Sequence, residues 1–138
     1  MRHAAAISAA VGAPDFERPL SSSGRTSAVQ AARRLSGAGI EVDRLLYSPA
    51  RRTRETAEIV ASELAIDAAD LIAIPELYGA SPRTYRKAIE QFRGEARVLM
   101  VIGHNPGISE FGQQLRGGKS LDQLHTAGFW RLPLDRNT

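Results

Sequence analysis

The chain contains no cysteine, which removes disulfides, thiolate metal sites and cysteine nucleophiles from consideration. Its three histidines, His3, His104 and His125, show no HxH or HxxxH spacing, so no zinc site is expected. Aromatic residues make up only 6%, and no basic run is interleaved with them, which argues against a nucleic-acid partner despite a pI of 9.8. No apolar stretch approaches the roughly 20 residues that span a bilayer, so no membrane partner is expected. Lysine is almost missing: of 18 basic residues only Lys87 and Lys119 are lysines. Biased codon usage accounts for most of that preference, although arginine is also the cation suited to bidentate grip of phosphate oxygens.

What is present is ordinary in bulk. The 138 residues, 43% hydrophobic and 24% charged with a net charge of +3, predict one domain over 1–138. Residues 4–13 after Met1-Arg2-His3 faintly imitate a secretory leader. They are mostly alanine, a weak apolar region, and cleavage would discard His3, so a cytoplasmic protein is expected.

Three cap-then-proline pairs punctuate the chain: Ser48-Pro49, Ser81-Pro82 and Asn105-Pro106. Each precedes a helical pattern, with the Ser or Asn read as N-cap and the proline at the first helical position. One face carries Ala57, Val60, Ala61 and Leu64, another Tyr85, Ala88, Ile89 and Phe92 with Gly94 as a stop, and a third Ile108, Phe111 and Leu115 before Gly117-Gly118. An earlier helix is predicted over 24–35. Apolar runs predict strands over 42–47, 71–74 and 98–102, and a last strand near an edge over 128–134, where Pro133 cannot donate to a ladder. This alternation implies an α/β three-layer sandwich with a mostly parallel central sheet.

In such a sheet the strand carboxyl ends share one edge, where residues distant in sequence converge. Three segments place candidate groups there: Arg2-His3, residues 48–57 (SPARRTRETA), and Gly103-His104-Asn105 beside a helix start, a natural anion site. Arginines at 51, 52 and 54 crowd the first turns of a helix, where the macrodipole disfavours cations by roughly 0.3–1 kcal/mol each. A bound anion would offset that cost, but Arg51 and Arg54 are expected to face solvent and pair with Glu55 or Glu58.

Taken in order, these segments resemble the histidine phosphatase (phosphoglycerate-mutase-like) superfamily, and within it the short SixA-type phosphohistidine phosphatases. The resemblance rests on Arg2-His3-Ala4, Arg18-Pro19-Leu20 with Ser23-Gly24-Arg25, the SPxxRxxxTA-like residues 48–57, Glu76-Leu77-Tyr78 with Ser81-Pro82, Gly103-His104-Asn105-Pro106-Gly107, and Thr126-Ala127-Gly128. It implies that His3 is the nucleophile that becomes phosphorylated, that Arg2 and Arg52 clamp the phosphoryl oxygens, and that His104 completes the pocket, with no metal or other cofactor. Glu76 is read either as the general acid or as an exposed loop glutamate or partner of a pocket arginine. Asp15 and Glu17 border the pocket without an assigned role. His125 is expected to be a partly buried structural residue, and Trp130 to serve packing.

The resemblance also implies a substrate class. Only 27 residues lie between Glu76 and His104, leaving no insertion for a domain that closes over a metabolite. An open site suits a phosphohistidine-bearing protein, such as a histidine phosphotransfer domain or similar carrier. A small-molecule phosphomonoesterase, or a catalytically impaired phosphate- or protein-binding module, remain the alternatives. Family members carry three to five apolar residues ahead of the Arg-His pair. Because this sequence starts at Met1, the first strand is expected to be truncated, with a slot in the sheet and reduced stability or activity.

Overall fold

The computed structural model describes residues 1–118 and 122–134. Seven regular elements follow in order: α1 (Ser22–Gly37), β1 (Arg44–Tyr47), α2 (Arg51–Leu64), β2 (Leu71–Ala73), α3 (Pro82–Phe92), β3 (Leu99–Ile102) and α4 (Gly107–Leu115). Short 3-10 turns lie at Asp15–Glu17, Ala68–Asp70 and Pro75–Leu77. The strands form one parallel sheet in the order β2-β1-β3, with Leu46 opposite Ile72 on one side and Val101 on the other.

Strand alternation sorts the apolar side chains into two cores. Leu45, Met100 and Ile102 pack with Ala28, Ala31, Ala32 and Leu35 of α1 and Ala57 and Val60 of α2. Leu46, with Ile72, Leu99 and Val101, packs on the opposite face against Tyr85 and Ile89 of α3 and Ile108 and Phe111 of α4. Side chains of consecutive strand residues point to opposite faces, so short runs buried on both sides produce the three expected layers.

The helix signals are borne out in part. Ser81 caps α3 by accepting from the Thr84 N–H, Pro82 follows it, and Gly94 ends the turn at φ +51. The helix predicted over 24–35 starts two residues earlier because Ser21 accepts from the Gly24 N–H. The other two caps are corrected. Ala50, not Ser48, is the N-cap of α2, and Pro106 holds that position in α4. Ser48 is drawn instead to His104, and the Asn105 amide donates to Leu124 O at 2.9 Å while its oxygen accepts from the Ser109 hydroxyl. A side chain committed to a tertiary partner cannot also cap its helix.

Residues 1–3 lie between β3 and the segment around Gly128, and only Arg2 bridges Gly103 in parallel. Gly103 N–H donates to Met1 O at 3.1 Å and His3 N–H to Gly103 O at 3.1 Å; on the other side Arg2 N–H donates to Gly128 O at 3.0 Å. Among the described residues the predicted strand over 128–134 forms no ladder, and a cavity of about 550 Å³ lies beside it. That cavity is lined by Met1, Leu99, Val101, Phe129, Leu132 and Leu134 among others. The Met1 ammonium donates to Val101 O at 2.8 Å inside it, and burial lowers its pKa to about 5.

Candidate active site

The site is assembled from the carboxyl ends of the N-terminal stub, β1 and β3, together with the first turn of α2. His3 is fixed through its neighbours. Ala4 N–H donates to the Thr56 hydroxyl oxygen at 3.1 Å, and that hydroxyl donates to Arg52 O at 2.7 Å, so one threonine ties the stub to the turn that carries Arg52. Gly24 permits this approach, since a Cβ there would lie 2.0 Å from Ala5 O. His104 is set by Tyr85, whose hydroxyl accepts the His104 N–H at 3.1 Å. A Cβ on Gly103 would meet the same hydroxyl at 2.1 Å, so only glycine fits ahead of His104.

His3, Arg52 and His104 are all buried, and the two imidazole centroids lie 5.4 Å apart. His3 Nδ1 donates to Ala4 O at 2.7 Å, which leaves Nε2 as the ring's lone-pair nitrogen. The guanidinium of Arg52 donates from Nη2 to His104 Nδ1 at 3.3 Å, and His104 Nε2 then donates to the Ser48 hydroxyl at 2.8 Å. Arg2 donates from Nη1 to Leu124 O at 3.3 Å. The Nε atoms of Arg2 and Arg52 are buried without a partner. A buried donor left unpaired costs about 1–3 kcal/mol, so the free Arg52 Nε on the guanidinium that contacts His104 marks a place that an oxyanion would satisfy, while the charge of Arg2 acts on His3.

Asp15 holds that place at present. Its carbonyl and Oδ2 each accept from the Arg52 fork at 3.0 Å, Oδ2 also accepts the Tyr78 hydroxyl at 2.7 Å, and Oδ1 accepts from Arg18 Nε at 2.9 Å. The Tyr78 hydrogen bond, followed by the arginine charges, lowers the Asp15 pKa to about 2. The carboxylate is therefore ionised at neutral pH and stands where a phosphoryl oxygen would be received.

Sequence reasoning left Asp15 without a role and did not single out Tyr78, Ser48, Thr56 or Tyr85 as site residues. Ser48 and Thr56 sit inside the quoted SPxxRxxxTA-like segment, which was the available signal. Tyr85 was legible only as a core position. Glu76 is exposed in its 3-10 turn and makes no hydrogen bond or ion pair with another described residue. As expected, Arg51 pairs with Glu55 and Arg54 with Glu58. His125 is corrected: it is exposed, on an open cleft shared with Arg2, because its segment turns outward at Thr126-Ala127. Trp130 packs against Gly112 with Arg116 over its ring at 5.1 Å.

Burial, then the charges of Arg52 and Arg2, lowers the His3 pKa to about 4; burial, Arg52 and His3 lower that of His104 to about 3. Both rings are neutral at pH 7. Unfolded histidines protonate near 6.5, so between pH 6.5 and 4 the unfolded chain binds more protons and stability falls as pH drops. The His3 shift alone corresponds to about 3 kcal/mol. Urea midpoints measured from pH 7 to 4.5 should fall, and His3→Asn should flatten the slope. A pH-independent wild-type midpoint would contradict the buried neutral pair.

Comparison with known proteins agrees with this arrangement. Residues 1–102 match the model of the histidine phosphatase superfamily (branch 1). An uncharacterized protein of Picosynechococcus is 31% identical over 130 residues, spanning 90% of this chain and 75% of that one. The crystal structure of the candidate phosphohistidine phosphatase SixA from Agrobacterium tumefaciens superimposes with TM-score 0.78 at 31% identity, over 86% of this chain and 75% of that chain. The protein histidine phosphatase SixA complexed with tungstate gives TM-score 0.81 at 26% identity, over 91% and 80%.

The chain belongs to the histidine phosphatase superfamily, and it is a phosphatase, a hydrolase of SixA-like form. No described helix is long and apolar enough to cross a membrane.

Proposed function

We propose that this phosphatase removes phosphate from histidine side chains of a signalling or phosphotransfer protein, through a phosphohistidine on His3. The observation that carries the reading is the neutral, directed Nε2 of His3 beside two guanidiniums with unpartnered Nε atoms. A neutral imidazole needs no strong base to act as nucleophile. With the substrate ring already protonated at its other nitrogen, His3 Nε2 attacks phosphorus while the bond from phosphorus to the substrate's imidazole nitrogen breaks, and a neutral imidazole leaves with the electron pair of that bond. Water then attacks phosphorus, releasing orthophosphate and regenerating His3.

Arg2 and Arg52 would stabilise the charge on the equatorial oxygens, the chief requirement of phosphoryl transfer. An incoming dianion would displace Asp15 from Arg52 and favour a proton on His104 Nδ1, converting that ring from acceptor to donor. Neutral imidazole departs readily from the ring-protonated substrate, so Glu76 need not be the acid. The chemistry needs no metal.

Support for a protein-borne substrate comes from the absence of any cap between Tyr78 and β3 and from the likeness to the SixA structures. The complex of one of those with tungstate, a tetrahedral oxyanion, supports the hollow as a phosphate site. The test is dephosphorylation of a phosphohistidine carrier protein against small phosphomonoesters. Strong preference for the carrier supports the reading, and preference for a small monoester would replace it with a metabolite phosphatase.

A further inference from the structure

Among the described residues, the exposed large apolar side chains are Ile7, Val11, Phe16 and Tyr78. All four lie on two loops, and both loops are tied to the phosphate hollow. Tyr78 meets His104 edge-on at 5.6 Å and Phe16 at 5.1 Å, so the three rings form a continuous wall from the pocket floor to the surface. Ile7 is joined through its carbonyl, which accepts from Arg18 at 3.1 Å, while Arg18 holds Asp15 against Arg52. Val11 is fully exposed at the turn of the same loop. Single exposed apolar residues need no explanation, but Phe16 and Tyr78 beside the hollow, with Ile7 and Val11 on the loop that also carries Asp15, make up a set that does.

We propose that this rim is the docking surface for the protein that carries the phosphohistidine, seating an apolar patch around the modified side chain. The inference rests on the reading under Proposed function and names its interface. Two features select the partner. A phosphohistidine reaching His3 brings its own surroundings against residues 7–16 and Tyr78, so the rim is continuous with the reacting centre. The rest of the surround is cationic by a narrow margin: Arg2, Arg18, Arg25, Arg51 and Arg52 outnumber Asp15, Glu17, Glu55 and the exposed Glu76 beside Tyr78, and Arg25 and Arg51 share the single carboxylate Glu55. The partner patch is therefore apolar at its centre and acidic at its edge. A small metabolite would make no use of Val11, which lines no enclosed space.

The test compares two substrates, a phosphohistidine-bearing carrier protein and phosphoimidazole, with wild-type protein and the double variant Ile7→Ser/Val11→Ser. Neither residue supplies a side-chain atom to the hollow. The expected result is a KM for the carrier raised about tenfold with kcat within twofold, and phosphoimidazole kinetics unchanged. Val11→Ser alone, at a fully exposed position that leaves the fold intact, should show a smaller change in the same direction. An unchanged carrier KM would overturn the docking surface, and equal losses on both substrates would reduce the rim to a structural role. Wild-type protein that hydrolyses phosphoimidazole but never the carrier would instead overturn the functional reading, and the rim's partner with it.

Discussion

Replacing His3 with alanine is expected to abolish turnover of every phosphorylated substrate, a loss of at least about 10³-fold, while the protein stays folded. The magnitude follows from what the residue supplies. His3 Nε2 is the uncommitted imidazole nitrogen in the site, since Nδ1 is spent on Ala4 O and both nitrogens of His104 are engaged by Arg52 and Ser48. The neighbouring Ser48 hydroxyl accepts from His104 Nε2 and so has no base to take its proton. At neutral pH the ring is uncharged folded and unfolded alike, so its removal lifts no protonation penalty, and only below about pH 6.5 should the variant gain stability relative to wild type. Steady-state assays beside a urea melt check both halves. Turnover within tenfold of wild type would mean that phosphate leaves by direct attack of water.

Arg52→Gln is expected to lower kcat about 10³-fold, with little change in the urea midpoint. Arg52 is buried with an unpartnered Nε, and the groups it meets, the Asp15 carboxylate and carbonyl and His104 Nδ1, belong to a half-exposed loop residue and to the site itself, so its placement contributes little to the fold. Its gain comes when a phosphoryl group replaces Asp15 in the fork. A glutamine cannot present the same two parallel donors. Arg54→Gln is the control, since that side chain pairs with Glu58 at the surface and should leave kcat within twofold. A large fall in stability with unchanged kcat for Arg52→Gln would assign the residue to the scaffold instead.

Much of the fold was legible because both signals that set it are local. Leu45 and Leu46 each find a core on opposite faces of β1, and Ser81-Pro82 opens α3 as its chemistry dictates. His104 at the end of β3 was legible for the same reason. What failed was decided by tertiary partners. Asn105 and Ser48 are good caps in isolation, but the fold draws one to Leu124 and the other to His104. Residues 128–134 have a strand's composition but lack a neighbour along most of their length, and a ladder needs two edges. Asp15 meets Arg52 across 37 positions of sequence, through a loop whose path no periodicity encodes. Glu76 shows the converse, a residue singled out by its place in a motif that the fold leaves in solvent.

The most direct measurement is to quench a reaction with labelled substrate in alkali and locate the phosphate on the chain. If the proposed reaction runs through His3, the label should sit on His3, survive base, vanish in acid and be missing from His3→Ala. Label on another residue, or steady turnover with no label on the chain, would contradict a nucleophilic His3.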